Sequence, residues 1–516
     1  MGSVELGAVV AHTLAGLGAC GVVSGVGSRN APLSLALHAL DAAGELPLHM
    51  VLDERSAAFR ALGLAKSTGK LAAVAVTSGS AVANLHPAIL EARHSGVPLL
   101  VLTADRPMEL VGTGASQTAD QVGIFGPSVL DVVRLSSRSG GPAAWSAAIQ
   151  RAAHLALGTR TRQPGPVHVN LEFTPPLVGP HVVPTVHIAR VAPSRGDDLV
   201  ELAEGPRTVV VAGEASPREG AEARAFAELA RVPLLAEPAS NARAGECAIA
   251  GYRRLLAGPL ADEVQRVVVF GHPTLSRPQL ALLAREDVEV VVVSHGATWH
   301  DTGHRATLVA DRVLLAPQAE AWLERWREAD RALPGPPGWC GRAVADAVLA
   351  SLGPDANLVL GASNLIRDAD LSPIAAAGPA VWASRGQAGI DGTIATATGI
   401  ALGTGRPTTV LVGDLTALHD LSSLARPASE PRAKLRVVVG DDDGGSLFHK
   451  LEQGRPEYAD AFERVFATPQ GVDIAAVAAA YGWDTVGVDD EQALAAALAG
   501  DAECIVARYP RGRASA

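Results

Sequence analysis

Eight short apolar runs punctuate the chain, each closing on Gly, Ser, Asp or Pro: LAAVAVTSG, PLLVLTADRP, RTVVVAGEAS, RVVVFGHP, VEVVVVSHG, NLVLGAS, TTVLVGD and LRVVVGDDD. They are continuous rather than alternating, the pattern of strands buried on both faces of a parallel sheet. Ala-rich segments between them, such as SAVANLHPAILEARHSG and DIAAVAAAYG, predict helices. The alternation predicts an α/β fold of doubly wound parallel sheets. Ligands gather beyond the carboxyl ends of such strands. The residues that follow the runs are therefore the first candidates for chemistry: Thr77–Ser78, Asp105–Arg106, Asp414 and Asp442.

Two Pro-rich stretches, EFTPPLVGPHVVPTVHIARVAPSRGDD and RALPGPPGWCG, interrupt the pattern. Neither can continue a helix or a central strand, so both read as linkers. With 516 residues, the chain exceeds one core and divides into three domains, 1–180, 196–330 and 340–516.

Composition narrows the function. A net charge of −11 excludes a basic nucleic-acid footprint. Four scattered cysteines form no CxxC pair, which fits a reducing compartment. The first residues, MGSVELGAVVAHTLAGLGA, lack the basic start of a signal peptide and predict an amphipathic helix. No charge-free run reaches membrane-spanning length, so a cytoplasmic protein without membrane partners is expected.

The most distinctive chemistry is acidic. VLVGDLTALHD ends a strand at Gly413-Asp414, and VVVGDDDGGSLF ends another at Asp441, Asp442 and Asp443, with Gly444-Gly445 behind. Mg²⁺ takes one or two carboxylates together with phosphate oxygens and water. Glycines let backbone approach a phosphate. As a pair these acids point to a metal; singly, either could cap the helix that follows. Two weaker signals are set aside. GVGSRN lacks the third Gly of a dinucleotide fingerprint, and His295, His300 and His304 read as loop histidines rather than a zinc cluster.

Gly-Asp, a gap of 28 residues to Asp442 and a polar pair resemble the signature of thiamin diphosphate enzymes. The motifs GSRNAPL, DERSAAFRALGLAK, TSGSAVANLHPAILEA, LTADRPMEL, GASQTADQ and GPVHVNLEFTPPL stand in order in the first third. GASNLIRD, SRGQAGIDG and GDLTALHDLSSL follow in the last third. Together they resemble the 2-succinyl-5-enolpyruvyl-6-hydroxy-3-cyclohexene-1-carboxylate synthase (MenD) family of menaquinone biosynthesis. The resemblance implies a pyrimidine-binding first domain, a middle domain and a diphosphate-binding last domain. It also implies thiamin diphosphate and Mg²⁺, with Mn²⁺ as an alternative metal, and the small-molecule substrates 2-oxoglutarate and isochorismate.

Residue by residue, the resemblance makes Glu54 the catalytic glutamate at the aminopyrimidine. Alone it would also read as a helix-start acid. Thr77, Ser78, Gly79, Ser363, Ile390, Asp414, Leu415, Asp442, Leu447 and Phe448 match cofactor-binding positions, although Ile390 reads equally as core. Asp414, Asp442 and the Gly444 carbonyl match the metal ligands, with Asp441 one residue away as the competing choice. Arg29, Arg106, Arg367 and Arg385, with Ser28, Ser116, Gln117 and Leu451, match substrate positions; guanidinium groups suit two dicarboxylates. The family's surfaces bearing the glutamate and the metal loop meet across a subunit boundary, which implies a homodimer at minimum and a tetramer by extension.

The chain departs from the family pattern at Ser116, His86, Ser384 and Ala362, at Ser24-Gly25-Val26-Gly27, and in the aspartates of the metal loop. Two other readings stay open at this point: another thiamin diphosphate carboligase of the acetohydroxyacid synthase type, and a non-catalytic cofactor-binding protein.

Overall fold

The computed structural model describes residues 2–196, 198–335 and 338–511. The chain folds into two compact units. One comprises Met1–Arg195, Gly386–Gly405 and Asp420–Lys434; the other comprises Gly196–Arg385, Arg406–His419 and Leu435–Ala516.

In the first unit, strands β1 (Gly21–Gly25), β2 (Leu48–Val51), β3 (Ala72–Val76), β4 (Leu99–Asp105), β5 (Val132–Ser136) and β6 (Pro166–Glu172) form one sheet. Its order is β2-β1-β3-β4-β6-β5 and every pairing is parallel. Successive residues point to opposite faces, and both faces are buried. Ala73, Ala75, Leu100 and Leu102 pack beneath the helices Ser3–Gly16, Ala31–Ala42 and Pro142–Ala156. Ala72, Val74, Val76, Leu99 and Val101 pack beneath Glu54–Thr68 and His86–His94. Burial on both sides is why these strands read as unbroken apolar runs.

Two local expectations change. The first helix, expected to be amphipathic, buries Leu6 through Ala11 without interruption. Its Gly7 lies so close to Pro32 that a Cβ would collide with the Pro32 carbonyl. The segment from Ser80, expected as one helix, breaks into Ser80–Ala83 and His86–His94. Pro87 has no N–H to offer the preceding turn, so the helix must restart there.

Helix Thr393–Thr404 packs across helix Glu54–Thr68 within the same unit. Gly63 faces the Thr396 carbonyl and Gly399 faces the Arg60 carbonyl, each too near to admit a Cβ. Asp420 secures the entry to the 393–404 helix, accepting from Ile394 N at 2.7 Å and Ala395 N at 3.2 Å.

The second unit carries two larger sheets. Strands β7 (Leu199–Glu201), β8 (Thr208–Ala212), β9 (Leu234–Ala236), β10 (Arg266–Phe270), β11 (Glu289–Val293), β12 (Ala306–Ala310) and β13 (Arg312–Leu314) make a parallel sheet ordered β12-β11-β10-β8-β9, plus a β13–β7 pair. Val209, Val211, Val267 and Val269 face one core, and Val210, Ala212, Val268 and Phe270 the other. Strands β14 (Asn357–Leu360), β15 (Ala380–Ala383), β16 (Thr408–Gly413), β17 (Leu435–Asp441), β18 (Thr485–Val488) and β19 (Cys504–Arg508) form the last sheet, ordered β15-β14-β16-β17-β19-β18 and again parallel. All eight apolar runs are strands of these sheets. The described residues of both Pro-rich stretches, from Phe173 to Gly196 and from Ala332 to Cys340, carry neither helix nor strand. Among the described residues, no helix is long and apolar enough to cross a membrane.

Candidate active site

In the first unit the candidate residues converge on the carboxyl ends of β1, β3 and β4. Asp53 caps the helix that follows β2, accepting from Arg55 N and Ser56 N, so Glu54 begins the first turn. A Cβ on Gly25 would meet the Glu54 Cγ at 3.5 Å, which sets this side chain over the end of β1. Asn84, at the break between the two short helices, donates its amide to Glu54 Oε2 at 3.3 Å. The motif holding Asn84 is visible in the sequence; its contact with Glu54 depends on the helix break that Pro87 imposes.

Thr77, Ser78 and Gly79 turn out of β3. Gly79 has φ +83 and donates its N–H to Gln121 Oε1 at 2.9 Å. Gln117, itself at φ 56, donates Nε2 to the Ser78 carbonyl at 2.9 Å. Arg106 follows β4 and donates to Ser78 Oγ, and to the Gln117 carbonyl at 2.6 Å. Arg29 donates to the Phe173 carbonyl at 2.8 Å. Burial and then the neighbouring Arg106 lower the Arg29 pKa. Two guanidinium groups are thus held near each other, a cationic pair fit for carboxylates. Ser28 and Ser116 are exposed at the rim. Val26, Leu52 and Met108, neighbours in sequence of Arg29, Glu54 and Arg106, are exposed apolar side chains at 64 %, 81 % and 61 % exposure.

Beneath this rim runs a buried polar chain. Gln121 donates to Asn170 Oδ1 at 3.1 Å, Asn170 donates to Asp105 Oδ2 at 2.9 Å, and Thr103 lies 2.7 Å from His168 Nε2. Burial holds the His168 imidazole down to about 4, so it is neutral at physiological pH. Ile390 also belongs to this unit, half-buried just before the Thr393–Thr404 helix.

In the second unit β16 and β17 are neighbours, with Gly413 opposite Gly440. This register carries Asp414 and Asp442 to adjacent strand ends, both buried (6 % and 9 % exposed). Burial pushes the Asp414 carboxyl up to about 7; hydrogen bonds from Leu415 N and Gly444 N oppose the rise, and the Asp442 charge adds to it. Burial also raises Asp442, against hydrogen bonding from Ser446 and the charge of Arg511. Ser363 caps the helix Asn364–Ala369 and sits beside Gly413. Leu415, Leu447, Phe448 and Leu451 are half-buried around the loop.

The other two aspartates have partners that the sequence did not reveal. Asp441 accepts from Asp443 N at 3.1 Å and faces Arg508 Nε at 3.8 Å. Asp443, at φ 57, faces Arg511 at 3.5 Å, and Arg511 also donates to the carbonyls of Asp442 and Asp443. Asp441 and Asp443 therefore pair with arginines from the end of the chain, while Asp442 turns inward beside Asp414.

Two adjoining buried carboxylates, flanked by glycine backbone, are a hard-oxygen donor set that suits Mg²⁺. A divalent cation would favour the ionised form of both carboxylates, against the burial that lifts their pKa values. Among the described residues there is no group of three or more His, Cys, Asp or Glu placed to hold a metal. Two protein carboxylates completed by phosphate and water oxygens is the arrangement Mg²⁺ prefers. The loop histidines are engaged otherwise: His295 lies 3.5 Å from Glu222, and His300 stacks on His272 with ring centroids 3.6 Å apart.

Arg367 and Arg385 belong to this unit too. Arg367 donates to the Ser363 carbonyl at 3.0 Å. Its pKa is lowered by burial and then by the nearby Arg385. Arg385 leaves β15 and is 5 % exposed.

Acidic strand ends beside a Gly-rich turn in one unit, and a glutamate at a helix start beside an arginine pair in the other, agree with two family matches. Residues 4–124 match the thiamine pyrophosphate enzyme N-terminal TPP binding domain, and residues 373–504 match the C-terminal TPP binding domain. The class is that of thiamin diphosphate (thiamine pyrophosphate) enzymes. The 2-succinyl-5-enolpyruvyl-6-hydroxy-3-cyclohexene-1-carboxylate synthase of Kineococcus radiotolerans is 48% identical over 507 residues, covering 93% of this chain and 90% of that protein. The synthase of the same name from a Nocardioides species is 48% identical over 491 residues, covering 89% and 86%. That of Mycobacterium marinum is 40% identical over 494 residues, covering 88% and 87%. The chain belongs to the 2-succinyl-5-enolpyruvyl-6-hydroxy-3-cyclohexene-1-carboxylate synthase family.

Proposed function

We propose that Glu54, the Asp414–Asp442 pair and four arginines divide the work of this synthase among them. The reaction is the thiamin diphosphate-dependent decarboxylation of 2-oxoglutarate and addition of the resulting carbanion to isochorismate. It yields CO₂ and 2-succinyl-5-enolpyruvyl-6-hydroxy-3-cyclohexene-1-carboxylate, in menaquinone biosynthesis. Thiamin diphosphate, when bound, supplies the electron sink that lets CO₂ depart.

Asp414, Asp442 and the Gly444 carbonyl would hold Mg²⁺. Asp442 is preferred to Asp441 because Asp442 is buried beside Asp414, whereas Asp441 faces Arg508. The Gly444 carbonyl now accepts from Ser446 N at 3.0 Å and keeps a second lone pair for the metal. Ser363, Leu415, Thr77, Ser78 and Gly79 line the cofactor, and Ile390 supports it. Glu54 would hold a proton toward the aminopyrimidine of the bound cofactor, with Asn84 fixing its carboxylate. Arg29, Arg106, Arg367 and Arg385 bind the substrate carboxylates, assisted by Ser28, Ser116 and Gln117. Leu447, Phe448 and Leu451 would exclude water from the reacting face of the bound cofactor.

The minimum active unit is a homodimer. Leu52, Val26 and Met108, neighbours in sequence of Glu54, Arg29 and Arg106, are exposed apolar side chains, as residues awaiting cover are. The observation that supports the reading is that Arg29, Glu54, Arg106, Asp414 and Asp442 each follow a strand's carboxyl end, in a chain aligned along most of its length with the synthases. Glu54→Gln tests the assignment of the proton-handling group. The variant should bind thiamin diphosphate normally and lose activity by about 10²–10⁴-fold, the usual contribution of a positioned acid–base group. Full activity would overturn that role.

A further inference from the structure

The second unit joins its middle sheet to both of its candidate arginines. Asn241, at φ 56, pairs in two directions with β15: Val381 N donates to its Oδ1 at 2.8 Å, and its Nδ2 donates to the Val381 carbonyl at 2.9 Å. β15 is an edge strand, so this side chain takes hydrogen bonds that a further strand would make. Four residues on, Arg385 Nε donates to Thr274 Oγ1 at 2.9 Å, and Nη2 donates to the Thr274 carbonyl at 3.3 Å. Thr274 is itself fixed. Its N–H and that of Leu275 both donate to Glu237 Oε1, at 2.9 and 2.7 Å, and Glu237 is 2 % exposed.

A second clasp reaches the other arginine. Arg253 donates to the Arg367 carbonyl at 2.9 Å and faces Asp370 at 3.4 Å, while Tyr252 donates to Asp370 Oδ1 at 2.9 Å. Tyr252 and Asp370 are fully buried, so this joint does not depend on solvent-exposed ion pairing.

An arginine side chain has many rotamers, and a two-point contact with a carboxylate needs one of them. Thr274 engages Nε and one Nη2 hydrogen. The Nη1–Nη2 end stays available for the parallel contacts a carboxylate accepts.

We infer that Thr274 is a positioning residue for Arg385, aiming its guanidinium at a substrate carboxylate and making the middle sheet part of the substrate site. The inference rests on Arg385 being a substrate-binding residue, as proposed above.

Steady-state kinetics of the holoenzyme, saturated with thiamin diphosphate and Mg²⁺, test both layers. Arg385→Ala identifies which dicarboxylate depends on Arg385 by raising its KM. Thr274→Val keeps the shape and removes the hydroxyl. It should raise that same KM by about tenfold, the order expected for one hydrogen bond to a charged group. The change in kcat should stay under about twofold. Thr274→Ser should restore the wild-type KM, and Thr274→Val should add nothing in the Arg385→Ala background. Thr274→Ala removes the same hydroxyl and substitutes for valine should that variant misfold. An unchanged KM in Thr274→Val or Thr274→Ala, with a raised KM in Arg385→Ala, overturns the positioning role and leaves the substrate reading intact. Failure of Thr274→Ser to restore KM overturns it too. Unchanged KM values for both substrates in Arg385→Ala overturn the substrate reading beneath it.

Discussion

Gly444 donates its backbone N–H to Asp414 Oδ2 at 2.6 Å, tying the turn after β17 to the end of β16. Only a residue without a side chain fits there: φ is +129, and a Cβ would collide with the Ala467 carbonyl. The same bond holds one oxygen of the Asp414 carboxylate in place at the end of β16. Gly444→Ala and Asp414→Asn should therefore both weaken Mg²⁺-dependent thiamin diphosphate binding. Calorimetric titration of cofactor at fixed Mg²⁺ measures it; unchanged affinity in both variants would remove this loop from the metal site.

The loop's two surplus aspartates predict a role for the end of the chain. Arg511 donates from Nε to the Asp442 carbonyl at 3.1 Å, faces Asp443, and pairs with Glu463 at 2.8 Å. Arg511→Ala should loosen the loop and lower cofactor affinity by about tenfold, the scale of hydrogen bonds from a charged donor. Arg508, more exposed in its pair with Asp441, should matter less on substitution, because exposed ion pairs contribute little. The same titration compares the two variants.

Glu237 predicts a pH dependence of stability. Burial pushes its carboxyl up to about 8 in the folded protein, whereas an unfolded chain releases that proton near ~4.3. Between these values the folded state binds more protons than the unfolded state. This contribution is complete below the unfolded value and is lost as pH rises through the folded one. Denaturant midpoints at about pH 5.5 and about pH 8.5 should therefore drop further in wild type than in Glu237→Gln, which cannot ionise. Equal drops would show that Glu237 titrates normally.

The close helix crossing predicts a packing defect. Gly63→Ala places a methyl against the Thr396 carbonyl, where backbone must shift to admit it. Overpacking of this kind costs about 1–3 kcal/mol. A thermal melt of the variant against wild type checks it, and an unaltered melting temperature would mean the crossing has slack.

Strands were the legible part of this fold, because a strand buried on both faces advertises itself as an uninterrupted apolar run. The helices were less so. Thr393–Thr404 is apolar or small at every position, so nothing in its pattern says that it docks on Glu54–Thr68 through Gly63 and Gly399. Motif positions brought Glu54, Arg29, Arg106, Asp414 and Asp442 to strand ends without help from the structure. Their supports lay beyond sequence reasoning because they act across long separations. Asn84 reaches Glu54 only after a helix break, Arg508 and Arg511 return from the chain's end to Asp441 and Asp443, and Thr274 meets Arg385 from another sheet.

Joining two dicarboxylates through thiamin diphosphate is an activity that one turnover measurement tests. Purified protein is supplied with thiamin diphosphate, Mg²⁺, 2-oxoglutarate and isochorismate, and CO₂ release and isochorismate loss are followed together. Both should proceed in equal amounts, and omitting thiamin diphosphate should stop both. CO₂ release without isochorismate consumption, or no decarboxylation at all, would contradict it.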